Sequence, residues 1–291
     1  METAVKIGPA VKIGPAVKIG ADVRATVFLG GGRITGALVA GLRLAKYDKP
    51  IVVHDRNPSK LRQLEKLYSV IIESDLRRAV ERAGLLIIAV RPESVSGLLR
   101  EIGRFEIENP RRPQTLVSLA AGIPLSKLRA RLLSSARCAR AMPSPASRSG
   151  RGLTALTFDR AFPRGAKREV ISFFKNVGGV LEIPESEFDA FTVTYSSSHG
   201  YHALAALAAS AQKLGLNRKT ALTAAAHALA DGIVSWREGR IPLDRLLHEA
   251  ATPGGIAWAT MNAMDSSGYK RSIQRGLQAG ITQARKNAQR A

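Results

Sequence analysis

Apolar residues are unevenly spaced along this chain. From Arg24 to Ala141 they form short continuous runs, separated by segments of helical spacing. Arg24–Leu29 (RATVFL) is a β-prone run ending in Gly30-Gly31-Gly32, and Ile34–Lys46 then places apolar residues three and four apart, as on a helix face. Ile51–His54 (IVVH) and Leu85–Val90 (LLIIAV) are continuous and apolar, like parallel strands buried on both faces. Ser59–Leu67 reads as a helix, with Asn57 as its cap and Pro58 in its first turn. Leu116–Leu119 and Ala136–Ala141 are two more strand-like runs, with a helix predicted over Leu125–Leu133. This alternation predicts an α/β fold, a doubly wound Rossmann-type sheet.

The pattern changes after about Glu187. Alanine dominates Ala203–Ala230 and recurs from Ala250 to Ala291. Helices are predicted at Ser198–Leu214, Arg218–Glu238, Leu243–Ala251, Ile256–Asp265 and Tyr269–Asn287. Alanine on both helix faces allows close packing, so an all-α domain without strands, suited to a subunit interface, is expected. Thr157–Pro184 reads as the joint: Pro163-Arg164-Gly165 and Asn176–Gly179 are breakers with one helix between them. Ala4–Ala21 holds three copies of a six-residue AVKIGP-type repeat, too short for a solenoid and interrupted by Gly-Pro. The expected organisation is a disordered tail over 1–23, a dinucleotide-binding domain over 24–187 and a helical dimerisation and substrate domain over 188–291.

At 291 residues and 45% apolar content, the chain is long enough to bury a sizeable core. Cys138 is the single cysteine, which rules out an intrachain disulfide and fits a cytoplasmic protein. The longest apolar runs are strand-sized, so no membrane association is expected. The formal charge of +21 favours anionic partners. Yet the arginines are scattered, aromatics are only 5%, and no nucleic-acid motif accompanies them, so a solvated basic surface is expected rather than a nucleic-acid partner. H-x-x-x-H and C-x-x-C spacings are absent, and no metal site is expected.

Phe28–Gly36 (FLGGGRITG) has the strand, glycine turn and helix start of a dinucleotide site in the right order. Gly30 permits the tight turn, Gly32 permits backbone approach to a pyrophosphate, and the helix N-terminus offers N–H groups. A strict G-x-G-x-x-G would have glycine at position 35, where Thr35 stands. Asp55, ending the second strand, sits where a carboxylate accepts a ribose 2′-hydroxyl and favours NAD. Arg56, with Lys60 nearby, suits a 2′-phosphate and favours NADP. Both cofactors stay open, with NADP slightly preferred.

Several motifs together resemble pyrroline-5-carboxylate reductase. Gly30–Leu42 (GGGRITGALVAGL), Ala89–Pro92 (AVRP), Ser118–Ile123 (SLAAGI), Arg140–Pro143 (RAMP), Gly152–Leu156 (GLTAL), Lys213–Leu216 (KLGL) and Thr252–Gly255 (TPGG) occur in that family's order. The resemblance spans about Ala25–Lys286. It implies reduction of the C=N bond of 1-pyrroline-5-carboxylate, or a related cyclic imine carboxylate, by NAD(P)H in a homodimer or higher oligomer. It also implies cofactor contacts from Gly30, Gly31, Gly32, Arg33, Ile34 and Thr35, from Ala89, Val90, Arg91 and Pro92, and from Ala120, Ala121 and Gly122 at the nicotinamide.

The substrate side departs from the family pattern. The family's M-P-N-T-P-A becomes Met142–Ser147 (MPSPAS), and Arg91 stands where Lys is usual. The stretch that carries S-G-S-x-P-A-Y becomes Val193–His199 (VTYSSSH), with His199 at the Tyr position. Ala257 replaces the threonine expected near the imine nitrogen. Ser196, Ser197 and Ser198, with Thr252, Gly254 and Gly255, are expected to bind the substrate carboxylate at helix N-termini. His199 is the candidate proton donor; His202, His227 and His248 rank below it. Trp236 and Trp258 are assigned to core or interface packing. A regulatory protein that binds the dinucleotide without turnover stays open as an alternative.

Overall fold

The computed structural model describes residues 24–108, 115–132, 137–239 and 241–290, so the repeat-bearing tail lies outside the described residues. The chain divides into two compact units. The first runs to Thr192 and takes in the chain again from Ile281; the second is Val193–Gly280.

The first unit is built on one sheet. Its strands are β1 (Ala25–Leu29), β2 (Ile51–His54), β3 (Ile71–Ile72), β4 (Ala83–Ile88), β5 (Thr115–Ser118), β6 (Arg137–Met142), β7 (Gly152–Phe158) and β8 (Gly178–Glu182). Their order is β3-β2-β1-β4-β5-β6-β7-β8, and all neighbours pair parallel except β6 and β7, which are antiparallel. The helices are α1 (Arg33–Leu44), α2 (Pro58–Tyr68), α3 (Leu76–Glu81), α4 (Pro92–Glu108), α5 (Leu125–Arg129), α6 (Arg164–Lys175) and α7 (Glu185–Thr194).

Side chains alternate across each strand, and the sheet therefore carries two cores. Val27, Leu29, Leu86 and Ile88 face one side, against Val80 of α3, Val95, Leu99 and Ile102 of α4 and Leu128 of α5. Phe28, Val53, Ile87 and Val117 face the other, against Leu38 and Leu42 of α1, Leu61 and Leu64 of α2 and Phe173 and Phe174 of α6. Fully burying each such side chain contributes about 1.5–3 kcal/mol. Two continuous cores explain why the strand segments read as unbroken apolar runs.

Thr157–Pro184 is not a joint. It holds the end of β7, all of α6 and all of β8, which extend the sheet beyond β6. Its breakers close the turns between these elements instead. The helix predicted over Leu125–Leu133 ends at Arg129. In α2, Asn57 accepts the Ser59 N–H through its side chain at 2.9 Å with Pro58 in the first turn, the capping predicted for it.

Arg140 lies on β6 with only 1% of its surface exposed. Its Nη1 donates to Glu185 Oε1 at 2.9 Å and its Nη2 to Asp189 Oδ1 at 2.6 Å, and the guanidinium stacks 4.3 Å above the Phe188 ring. A buried guanidinium needs such pairing to offset its desolvation. The cluster fastens α7 to the sheet.

The second unit is helical: α8 (Ser197–Lys213), α9 (Arg218–Gly239), α10 (Leu243–Ala250), α11 (Ile256–Ser266) and the larger part of α12 (Tyr269–Arg290). No strand occurs in it among the described residues. The predicted helices match these bounds to within a few residues. α8 and α9 pack together, and the residues they bury are Ala208, Ala221 and Ala225. The end of α12, from Ile281, groups with the first unit, so a helical domain running to the C-terminus over 188–291 is not what the compact units give. Trp236 is 47% and Trp258 42% exposed, so neither lies in a core of this chain.

Candidate functional site

The strand order places β2 on one side of β1 and β4 on the other, and such a reversal opens a crevice at the carboxyl ends of the strands. Three loops meet there. Gly30 N–H donates to the His54 carbonyl at 2.7 Å, Ala89 N–H to the Leu29 carbonyl at 2.8 Å, and Leu119 N–H to the Ile88 carbonyl at 2.9 Å. The loops that follow β1, β4 and β5 are thereby tied edge to edge. These loops carry the predicted cofactor residues Gly30–Gly32, Ala89–Pro92 and Ala120–Gly122, and the structure brings all three groups to the carboxyl end of the sheet.

Gly30 has φ +115°, and a Cβ there would lie 2.6 Å from the Ala89 carbonyl oxygen, so both conformation and space require glycine. At Gly32 a Cβ would meet nothing within 4 Å. The backbone in front of α1 therefore faces open space, the cradle a diphosphate requires. Gly32 caps α1 without a side-chain hydrogen bond, which leaves N–H groups of the first turn for an anion. These features fit a dinucleotide.

Thr35 explains its own departure from the glycine pattern. It is fully buried, and its hydroxyl donates to the Gly30 carbonyl at 2.5 Å. The helix is stapled to the turn by that bond rather than by glycine-only contact. Arg33 is exposed and Ile34 half-buried.

Asp55 lies across the turn. Its Oδ2 accepts the Gly31 N–H at 2.7 Å and lies 3.5 Å from Lys60 Nζ, while its Oδ1 accepts the Asn57 N–H at 2.8 Å. Burial pushes this carboxyl up, but the two N–H groups and the Lys60 ammonium outweigh it and hold it below the usual carboxylate range. The Arg56 side chain is 84% exposed and only loosely paired, 3.7 Å from Glu101. Arg91 is similarly exposed, 3.9 Å from Glu93.

The candidate substrate residues lie in the second unit. Ser196 caps α8, accepting the Ser198 N–H at 3.4 Å, and its hydroxyl lies 2.6 Å from the Ser198 hydroxyl. Gly254 has φ +80°, Gly255 caps α11, and the Gly255 N–H donates to the Thr252 carbonyl at 3.0 Å. Ser196–Ser198, Thr252 and Gly254 are exposed in the single chain. His199 Nε2 lies 2.6 Å from the Val193 carbonyl. A carbonyl only accepts, so Nε2 carries the proton and spends it on the backbone. That contact secures the start of α8. His227 is engaged with Asp231 at 3.1 Å.

Sequence reasoning missed Asn287, whose Nδ2 donates to the Ala121 carbonyl at 3.4 Å, and Glu185, whose Oε1 accepts the Leu125 N–H at 3.0 Å. Both partners are far away along the chain, and no local pattern announces them. Among the described residues, no cluster suits a metal ion, and no helix is long and apolar enough to cross a membrane.

Residues 26–122 match the family described as NADP oxidoreductase coenzyme F420-dependent, and residues 185–287 match pyrroline-5-carboxylate reductase dimerisation. The chain is 31% identical over 273 residues to pyrroline-5-carboxylate reductase of Mycobacterium leprae, covering 86% of this chain and 92% of that one. It is 32% identical over 262 residues to the enzyme of that name from Thermus thermophilus, covering 87% and 94%. Among solved structures, Plasmodium falciparum pyrroline carboxylate reductase with NADP bound superposes with a TM-score of 0.80 at 18% identity, covering 92% and 99%. Together with the dinucleotide turn at β1 and the helical second unit, these likenesses place the chain in the pyrroline-5-carboxylate reductase family.

Proposed function

We propose that this protein reduces the C=N bond of 1-pyrroline-5-carboxylate, or a close cyclic relative, with NADPH, giving proline from the former. One observation carries the reading: a formed dinucleotide turn at Gly30–Gly32 stands on the same chain as a helical stretch, 185–287, that matches the reductase dimerisation family. When bound, the reduced nicotinamide supplies the hydride for the imine carbon, and a proton finishes on the ring nitrogen.

The chain's own residues bind, orient and exclude water. The first turn of α1 holds the diphosphate through backbone N–H groups. Ala89–Pro92 closes over the cofactor, and Ala120–Gly122 lines the nicotinamide end with small side chains. Asp55 is already engaged by Gly31, Asn57 and Lys60, so it acts as a brace for the glycine turn. Arg56 and Lys60 are then the groups that meet a 2′-phosphate, and this division of labour supports NADP over NAD. The N-termini of α8 and α11 take the substrate carboxylate through Ser196–Ser198 and the amides of Gly254 and Gly255. His199 secures the start of α8 through its Nε2 contact to the Val193 carbonyl.

The test is NADPH and NADH oxidation with 1-pyrroline-5-carboxylate beside a panel of other cyclic imines. Turnover on pyrroline-5-carboxylate is expected, with NADPH preferred. Arg56→Ala should weaken NADPH about tenfold and leave NADH unchanged. Ala257, in place of threonine, favours a second reading, a dinucleotide-binding regulator. Confirmed NADPH binding with no oxidation on any imine would establish that second reading.

A further inference from the structure

The last turns of α12 sit on the loop that follows β5, and no dinucleotide motif accounts for them. Gly122 has φ +75°, and a Cβ there would lie 2.7 Å from the Ala284 carbonyl oxygen and 2.8 Å from the Ala284 Cα. Only glycine permits this backbone-to-backbone contact. Ala284 is the buried residue of α12, at 6% exposure. One turn further on, Asn287 Nδ2 donates to the Ala121 carbonyl at 3.4 Å. Gln283 Nε2 donates to Asn287 Oδ1 at 3.0 Å, which uses the oxygen of that amide and turns its NH₂ toward Ala121. At its ends the loop is held again: Ala120 N–H donates to Ser118 Oγ at 3.3 Å, and Leu125 N–H to Glu185 Oε1 at 3.0 Å.

We infer that the C-terminal end of α12 is a positioning element for hydride transfer, with Asn287 as its positioning residue. Asn287 fixes the Ala121 carbonyl, and Ala284 sets how far Gly122 can move toward the helix. The inference rests on the reading of Ala120–Gly122 as the nicotinamide loop. Hydride transfer requires donor and acceptor carbons within a narrow range of separation, and a shift of about 1 Å can cost about 100-fold in rate. A loop of small residues has no bulky side chain to lock it from within. Its position is therefore set by what packs on it, and here that is α12.

The experiment uses the full chain with NADPH and 1-pyrroline-5-carboxylate. Asn287→Ala removes the donor, Asn287→Asp keeps the shape without a donor, and Gln289→Ala is an exposed control on the same helix. Both Asn287 variants should lower kcat about tenfold while NADPH Kd moves less than about twofold. The primary isotope effect with 4-deuterated NADPH should rise as hydride transfer becomes slower, and the melting temperature should hold. A role in stability alone would lower the melting temperature and leave kcat and the isotope effect unchanged, which would overturn the inference. Ala121→Val separates the two layers of the argument. If it impairs NADPH binding or kcat while both Asn287 variants are silent, the positioning role fails and the loop reading survives. If Ala121→Val is itself silent, the loop reading fails and takes the inference with it.

Discussion

The two units of this chain solve burial differently. In the first, Val27, Phe28, Leu86, Ile87 and Val117 are wholly or almost wholly enclosed, and helices cover both faces of the sheet. In the second, the buried side chains among the described residues are those of Ala208, Ala221 and Ala225. Its large apolar groups lie open instead: Leu214 is 87%, Ile256 90% and Tyr201 65% exposed. α10 and α11 bury no residue at all. A helical unit with this surface lacks a core of its own, and a large apolar surface of this kind marks an interface. The match of 185–287 to a dimerisation family fits that requirement. The first unit is a self-sufficient scaffold, and the second has the open apolar surface of a unit suited to assembly.

The largest effect should come from the buried guanidinium of the first unit. Glu185→Ala combined with Asp189→Ala leaves the buried Arg140 without either of its carboxylates and should destabilise the protein by about 3–5 kcal/mol, read by urea denaturation. An effect below about 1 kcal/mol would mean that solvent screens the cluster, as at a surface pair. Next in size is a break aimed at the second unit. Trp258→Asp costs little within one chain, because the ring is already 42% exposed, yet it should weaken assembly by about 2 kcal/mol or more. Light scattering should show a shift toward monomer with NADPH binding retained. An unchanged oligomer would place the interface elsewhere.

Gly30→Ala sharpens the contrast from the other side. A methyl group 2.6 Å from the Ala89 carbonyl oxygen, at φ +115°, should cost about 1–3 kcal/mol and abolish NADPH binding while assembly persists. The smallest effect concerns Asp55. Its folded carboxyl is held below the ordinary value, so the stability it adds is present above the unfolded pKa and is lost as pH falls through the folded one. Asp55→Asn removes that contribution. The melting-temperature gap between wild type and variant should be full at neutral pH and should close as the solution is acidified below about pH 4. A gap independent of pH would assign the effect to shape rather than charge.

Much of the first unit was legible because its signals are local. Apolar runs located β1, β2, β4 and β5, and Asn57-Pro58 announced α2. The glycine turn was readable because its turn, its cap and its close approach all fall within Gly30–Thr35. β7 and β8 escaped notice because Gly178-Gly179 reads as a breaker, although here it opens an edge strand against Gly152–Leu156. The two-residue β3 is too short for any periodicity to mark. Ala136–Ala141 read as a strand, but nothing local announced the buried pairing of Arg140, since its partners lie 45 and 49 residues further along. The helices of the second unit were legible from alanine content and their breakers. An interface was expected of them, but which apolar groups lie open was not legible, because burial in an assembly leaves the same apolar pattern as burial in a core. Asn287 and Glu185 act on the β5 loop through the folded chain alone.

The most direct measurement is transfer of deuterium from 4-deuterated NADPH to 1-pyrroline-5-carboxylate, with the product analysed by mass spectrometry and NMR. The account predicts proline carrying a single deuterium at its δ carbon, formed in equal amount to the NADPH oxidised. Bound NADPH with no labelled proline would contradict it.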